Sequence, residues 1–180
     1  VNAYDNGPLT VLVKDIGGNR VADAVVTFNA PASGASASLL AGSCTTDADG
    51  ECAVPATSNT TAGSFSVQAS ISSGQYVDFM LSNLPDAASA LVVVSGDAQS
   101  TTVGTVFPHE LVVQMMDQHG NAVETAGVDV TFTAPGTGAS TAPLVMLVST
   151  DADGLASSGT LAANALAGAY TVTASASGLG

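Results

Sequence analysis

Apolar residues along this chain fall in short runs separated by turn-forming residues, and several runs alternate strictly. In the segment 63–69, Phe65, Val67 and Ala69 fall on one side while Ser64, Ser66 and Gln68 fall on the other. A period of two is the signature of a strand with one packed and one wet face. Further runs at 9–13, 24–28, 51–54, 76–81 and 90–95 predict strands, as do 111–115, 128–132, 144–148, 155–156 and 169–174. Between them stand Gly17-Gly18-Asn19 and His119-Gly120-Asn121, which tolerate positive φ, and two Asp-x-Asp-Gly tetrads that read as type I turns closing hairpins. Short strands with regular turn signals predict an all-β fold of two-sheet sandwiches.

The same landmarks occur twice, in one order, about a hundred residues apart. Asp15 through Asn19 matches Asp117 through Asn121, and V-T-F-x-A-P stands at 26–31 and 130–135. T-D-A-D-G stands at 46–50 and 150–154, and A-G-x-[FY]-x-V-x-A-S at 62–70 and 167–175. A period of this length is a whole duplicated domain, too long for a solenoid repeat. The break at Leu84-Pro85-Asp86 sets the predicted modules at 1–85 and 86–180, joined by a linker short enough to restrict swivelling. The strand at 90–95 has no equivalent in the first module and 76–83 none in the second. The expectation is therefore a first module without its opening strand and a second without its closing strand, flanked by further copies or exchanging strands head to tail.

Composition narrows the chemistry. Ala, Val, Ser, Thr and Gly dominate, Trp is absent, and Lys14 and Arg20 are the only strong cations against fifteen carboxylates, a formal charge of -13. That balance excludes phosphate-backbone capture of nucleic acid and leaves few ion pairs, so stability must come from burial and backbone pairing. No 18-residue apolar run predicts a membrane span in this segment.

Cys44 and Cys52 flank the first D-A-D-G turn, and their matches in the second module are the apolar Val148 and Ala156. Both cysteines are expected to face the core, diagonal on one hairpin face and within reach of a disulfide, which implies an oxidising, exported compartment. Buried free thiols are the alternative. Asp47, Asp49, Asp151 and Asp153 resemble the start of a calcium loop and are candidate calcium ligands, with Asp15, Asp86 or Asp117 as helpers. The competing reading is a turn alone, since position twelve of an EF-hand loop falls on Ser58 and Ala162. No other cofactor is expected. His109 and His119 have no legible nucleophile or orienting partner, so no enzyme activity is expected. Asn59-Thr60-Thr61 fits a glycosylation acceptor.

Taken together, these four duplicated motifs resemble the bacterial Ig-like domains of the invasin and intimin type. The resemblance covers most of both modules and implies tandem Ig-like β-sandwich modules on large exported surface proteins, with no shared catalytic residues. The expected function is a non-catalytic structural spacer repeat of a bacterial adhesin stalk, extracellular, partnered by neighbouring Ig-like modules or copies of itself. Any host or cell-surface ligand is expected to be met by regions outside this chain. The alternative is a subunit of a self-assembling extracellular filament joined by head-to-tail β-strand exchange. A carbohydrate-binding module is disfavoured, because the chain has no Trp and three Tyr to build a platform.

Overall fold

A computed structural model describes residues 7–179 and shows no helix among them. The chain divides between Pro85 and Asp86 into two units. Each is a sandwich of short antiparallel sheets, so the all-β expectation holds.

In the first unit β2 (Val25–Asn29), β4 (Ser43–Thr45), β7 (Gly63–Ile71) and β8 (Tyr76–Asn83) form one sheet in the order β4-β2-β7-β8. Facing it, β1 (Leu9–Leu12) pairs with β5 (Glu51–Val54), while β3 (Ala37–Leu39) pairs with β6 (Ala56–Ser58). Alternation places Leu9, Val11, Val26, Phe28, Val54, Phe65 and Val67 inside. Each such side chain contributes about 1.5–3 kcal/mol on leaving water. β8 adds Phe79 and Leu81 to this core, and the Phe28 and Phe79 rings stack with centroids 6.3 Å apart.

The second unit repeats the plan. One sheet has the order β13-β11-β16, formed by β11 (Asp129–Thr133), β13 (Val145–Ser149) and β16 (Thr173–Ala176). The other has the order β14-β10-β9, formed by β9 (Ala88–Ser95), β10 (Val112–Asp117) and β14 (Leu155–Ser157). β12 (Thr141–Ala142) pairs with β15 (Ala162–Ala163). Val113, Val130, Phe132, Met146, Ala156 and Leu161 fill the centre.

Two local expectations change. The strand predicted at 169–174 begins only at Thr173, because β11 reaches no further than Thr173 and no other ladder runs along 168–172 among the described residues. Its counterpart β7 starts at Gly63 because β8 pairs along it from Gly63 to Ser70. Secondly, the D-A-D-G corners do not join neighbours within one sheet. β4 ladders with β2 and β5 with β1, so the corner carries the chain from one sheet to the other. The short β3, β6, β12 and β15 escaped prediction because two or three residues display no period.

Candidate functional site

The two D-A-D-G corners are built alike. In the first unit Asp47 N–H donates to Glu51 O at 2.9 Å and Gly50 N–H to Asp47 O at 2.9 Å. The Asp47 side-chain Oδ1 accepts from the amides of Asp49 at 2.9 Å and Glu51 at 3.0 Å. Asp151 repeats this, its Oδ1 accepting from Asp153 at 3.0 Å and Leu155 at 2.9 Å. The leading aspartates are thus turn acceptors, while Asp49 and Asp153 are exposed. No group of three or more His, Cys, Asp or Glu poised to hold a metal occurs among the described residues.

The threonine before each corner has a role that the sequence reading missed. Thr46 is 2% exposed, its Oγ1 accepting from Ala24 N–H at 2.9 Å and donating to Val21 O at 2.8 Å. Thr150, 5% exposed, accepts from Val128 N–H at 3.0 Å and donates to Thr125 O at 2.7 Å. The hydroxyl fastens the corner to the segment leading into β2 or β11. Its exact duplication in the two copies was the available signal.

The Asp15 and Asp117 turns also match in form but differ in depth. Asp15 is exposed and bonds Asn19 through its backbone amide at 2.8 Å and its side-chain amide at 2.9 Å. Asp117 is 3% exposed and accepts from the amides of His119 and Asn121, the Asn121 side chain and the Asp86 amide, all at 2.8–2.9 Å. Burial pushes the Asp117 carboxyl up, but the Asn121 side chain and these amides outweigh it and hold the group far below the usual carboxylate range. Asp15 is lowered chiefly by the Asn19 side chain, and Asp86 by the Ala87 amide and then the Gln118 side chain. His119 offers its backbone to Asp117, and His109 exchanges backbone hydrogen bonds with the Gln99 side chain.

Cys44 and Cys52 form a disulfide with a Cα–Cα distance of 5.9 Å. Cys52 is buried, whereas Cys44 is half-buried at the core margin. Since β4 and β5 belong to different sheets, the bond crosses the sandwich instead of lying diagonally on one hairpin face as expected. Asn59, the glycosylation candidate, donates through Nδ2 to Gly34 O at 2.8 Å and accepts through Oδ1 from Ser36, Thr61 and Asn83.

The second unit contains a cavity of about 480 Å³ lined by Phe107, Leu111, Leu161, Tyr170 and Val172 and bounded by the 168–172 segment. The Tyr170 hydroxyl is buried there with no hydrogen-bond partner, and desolvation raises its pKa.

No helix is long and apolar enough to cross a membrane among the described residues. The family described as bacterial Ig-like domain (group 1) matches residues 2–79, and that described as SMCHD1 Ig-like domain 6 matches residues 87–178. Among solved structures, the D0-D1 domain of intimin aligns at 23% identity over 94% of this chain and 81% of that one, with a TM-score of 0.38. FdeC, an Escherichia coli adhesin, aligns at 21% identity over 94% of this chain with a TM-score of 0.45, and the chain spans 54% of its length. Invasin, a bacterial integrin-binding protein, aligns at 22% identity over 94% of this chain with a TM-score of 0.36, and the chain spans 32% of its length. With a sandwich in each half and an Ig-like family match over each, the chain is two Ig-like modules in tandem, the first of which matches the bacterial Ig-like domain (group 1).

Proposed function

We propose that the two modules are non-catalytic spacer repeats of an exported bacterial surface protein of the adhesin type, holding a binding region that lies outside them away from the cell. The observation that carries this reading is what the duplication preserves. Thr46 and Thr150, Asp47 and Asp151, Asn59 and Asn164, and Ser36 and Ser140 all make the same internal hydrogen bonds in their own module. Matched side chains with internal partners serve the frame, whereas exposed positions outside the D-A-D-G corners include ones that change, as Ile16 does to Gln118. Repetition of a frame without repetition of a surface suits a part whose duty is extension. The disulfide suits an oxidising compartment, and the charge of -13 suits a solvated exterior.

The test is replacement within the full-length surface protein. Exchanging these modules for two unrelated Ig-like modules of equal length should preserve adhesion, and shortening by both modules should reduce it. Loss of adhesion on the equal-length exchange, with surface display intact, would assign ligand recognition to the modules themselves and refute the spacer role.

A further inference from the structure

The hairpin that follows β1 carries Lys14 and Arg20, and the chain has no other Lys or Arg. An endoprotease that cleaves after a basic residue therefore has two bonds to attack, Lys14–Asp15 and Arg20–Val21. The two residues face each other in an antiparallel bridge. In module 2 Met116 and Ala122 make the matching bridge, so that hairpin offers such an enzyme no cationic side chain.

The two bonds are not equally open. Proteolysis needs an exposed tip whose backbone can leave its hydrogen bonds and enter the enzyme. Residues 14–20 are all exposed, Ile16 fully so, and the tip turns on Gly17 and Gly18. Lys14 has no side-chain hydrogen bond or ion pair among the described residues, so its ammonium is free to enter an acidic pocket. Beyond its carbonyl, the Asp15 amide donates to Asn19 O at 2.9 Å and the Asn19 amide to Asp15 Oδ1 at 2.8 Å, bonds that lie wholly within the tip. Arg20 is held. Its Nη1 donates to Asp49 O at 2.7 Å and to Glu51 Oε1 at 3.1 Å. Past its carbonyl, Val21 N–H donates to Val13 O at 3.0 Å, Asp23 N–H to Thr46 O at 3.0 Å and Ala24 N–H to Thr46 Oγ1 at 2.9 Å. Opening the chain at Arg20 therefore undoes the fastening of the D-A-D-G corner, whereas opening it at Lys14 undoes mainly the tip.

We propose that Lys14–Asp15 is the single nick site of the folded chain for an endoprotease directed at lysine or arginine, and that the nicked module keeps β1 in place without a covalent link. Water adds across the Lys14–Asp15 amide, leaving a carboxylate on Lys14 and an ammonium on Asp15. β1 remains bound because its contacts lie elsewhere. It pairs with β5 from Leu9 opposite Val54 to Leu12 opposite Glu51, and Leu9 and Val11 are buried in the core. One cut thus turns the covalent path through module 1 into a strand held by a ladder and two buried side chains, which can be withdrawn. The site is independent of the spacer role, so either can fail alone.

The test is limited digestion of the folded 180-residue chain with trypsin, the products identified by mass and the urea-unfolded chain digested as a control. Expected is a cut after Lys14 alone in the folded chain and after both Lys14 and Arg20 in the unfolded one. Fragments 1–14 and 15–180 should elute together in native buffer and separate in urea. Nicking should lower the melting temperature of module 1 and leave that of module 2 unmoved. Melting of the nicked module 1 should fall further on dilution, because its reassembly is bimolecular. Lys14→Gln should remove the cut and Arg20→Gln should leave it, while the mapping in the unaltered chain depends on no variant. First cleavage after Arg20, a cut that persists in Lys14→Gln, or a folded chain that trypsin leaves whole would overturn the nick site. Escape of fragment 1–14 in native buffer would overturn the retention of β1.

Discussion

The backbone amide of Asp86 donates to the Asp117 Oδ2 at 2.9 Å, tying the first residue of module 2 to the turn that follows β10. Asp117 thereby gathers around one buried carboxylate the Asn121 side chain and the amides of Asp86, His119 and Asn121. Removing it as Asp117→Ala leaves those donors without their acceptor. The expected result is a lower melting temperature for module 2, with a smaller effect of Asp15→Ala on module 1, where the matching turn is exposed. Calorimetry on the two variants checks the ranking.

The same carboxylates set the acid response. A carboxyl whose folded pKa lies below its unfolded value of about 3.9 takes up its proton more readily in the unfolded chain. The stability that Asp117, Asp15 and Asp86 contribute is therefore complete above that value and is lost as pH falls through the lowered folded values. Melting temperature should be level from neutral pH down to about pH 5 and then fall with a steepening slope below about pH 4. Asp117→Asn should flatten the fall in module 2, and an unchanged slope would contradict the assignment.

At Thr150→Val the Val128 amide and the Thr125 carbonyl each lose the hydroxyl partner inside a buried corner. The expected loss is about 1–3 kcal/mol, with Thr150→Ser much milder because the oxygen remains. Denaturant unfolding of both variants, and of the Thr46 pair in module 1, measures it.

Reduction of the Cys44–Cys52 bond, whose partners are eight residues apart in sequence, should cost module 1 about 2–3 kcal/mol. The double variant Cys44→Val with Cys52→Ala installs the residues of module 2 and should fold with a similar loss. In single-molecule pulling, reduction should lengthen the release of module 1 by roughly 20–30 Å, from the chain length per residue, and leave module 2 unaltered. Equal lengthening of both events would refute this.

Calcium at millimolar concentration should leave the melting temperature of both modules within about 1 °C, since a calcium site needs six to eight oxygens. At each corner the leading aspartate already spends one oxygen on two turn amides. A saturable rise abolished by Asp49→Asn or Asp153→Asn would place a cation there.

Gly154 marks the difference between reading a turn and reading its surroundings. Asp-x-Asp-Gly predicts a turn with a left-handed residue at its end, and φ at Gly154 is 74°. Yet a Cβ there would also lie 2.0 Å from Val123 O, a backbone contact supplied by a segment thirty residues earlier. The turn was legible because its chemistry lies within five residues, and the packing was not because its partner is distant.

The sequence alone determined the all-β class, the duplicated blueprint, the turns at Asp15, Asp47, Asp117 and Asp151, and the proximity of Cys44 to Cys52. All of these follow from alternation, turn residues and repetition, which act over a few neighbouring positions. Only the tertiary structure decided that the D-A-D-G corners pass between sheets and that the disulfide crosses the sandwich with them. It also decided that Thr46 and Thr150 are internal fasteners, and that Asn164 ties its loop to Gly138 as Asn59 ties its own to Gly34. Those facts depend on which distant backbone a side chain meets, and burial decides there whether an ordinary threonine or asparagine is solvated or indispensable.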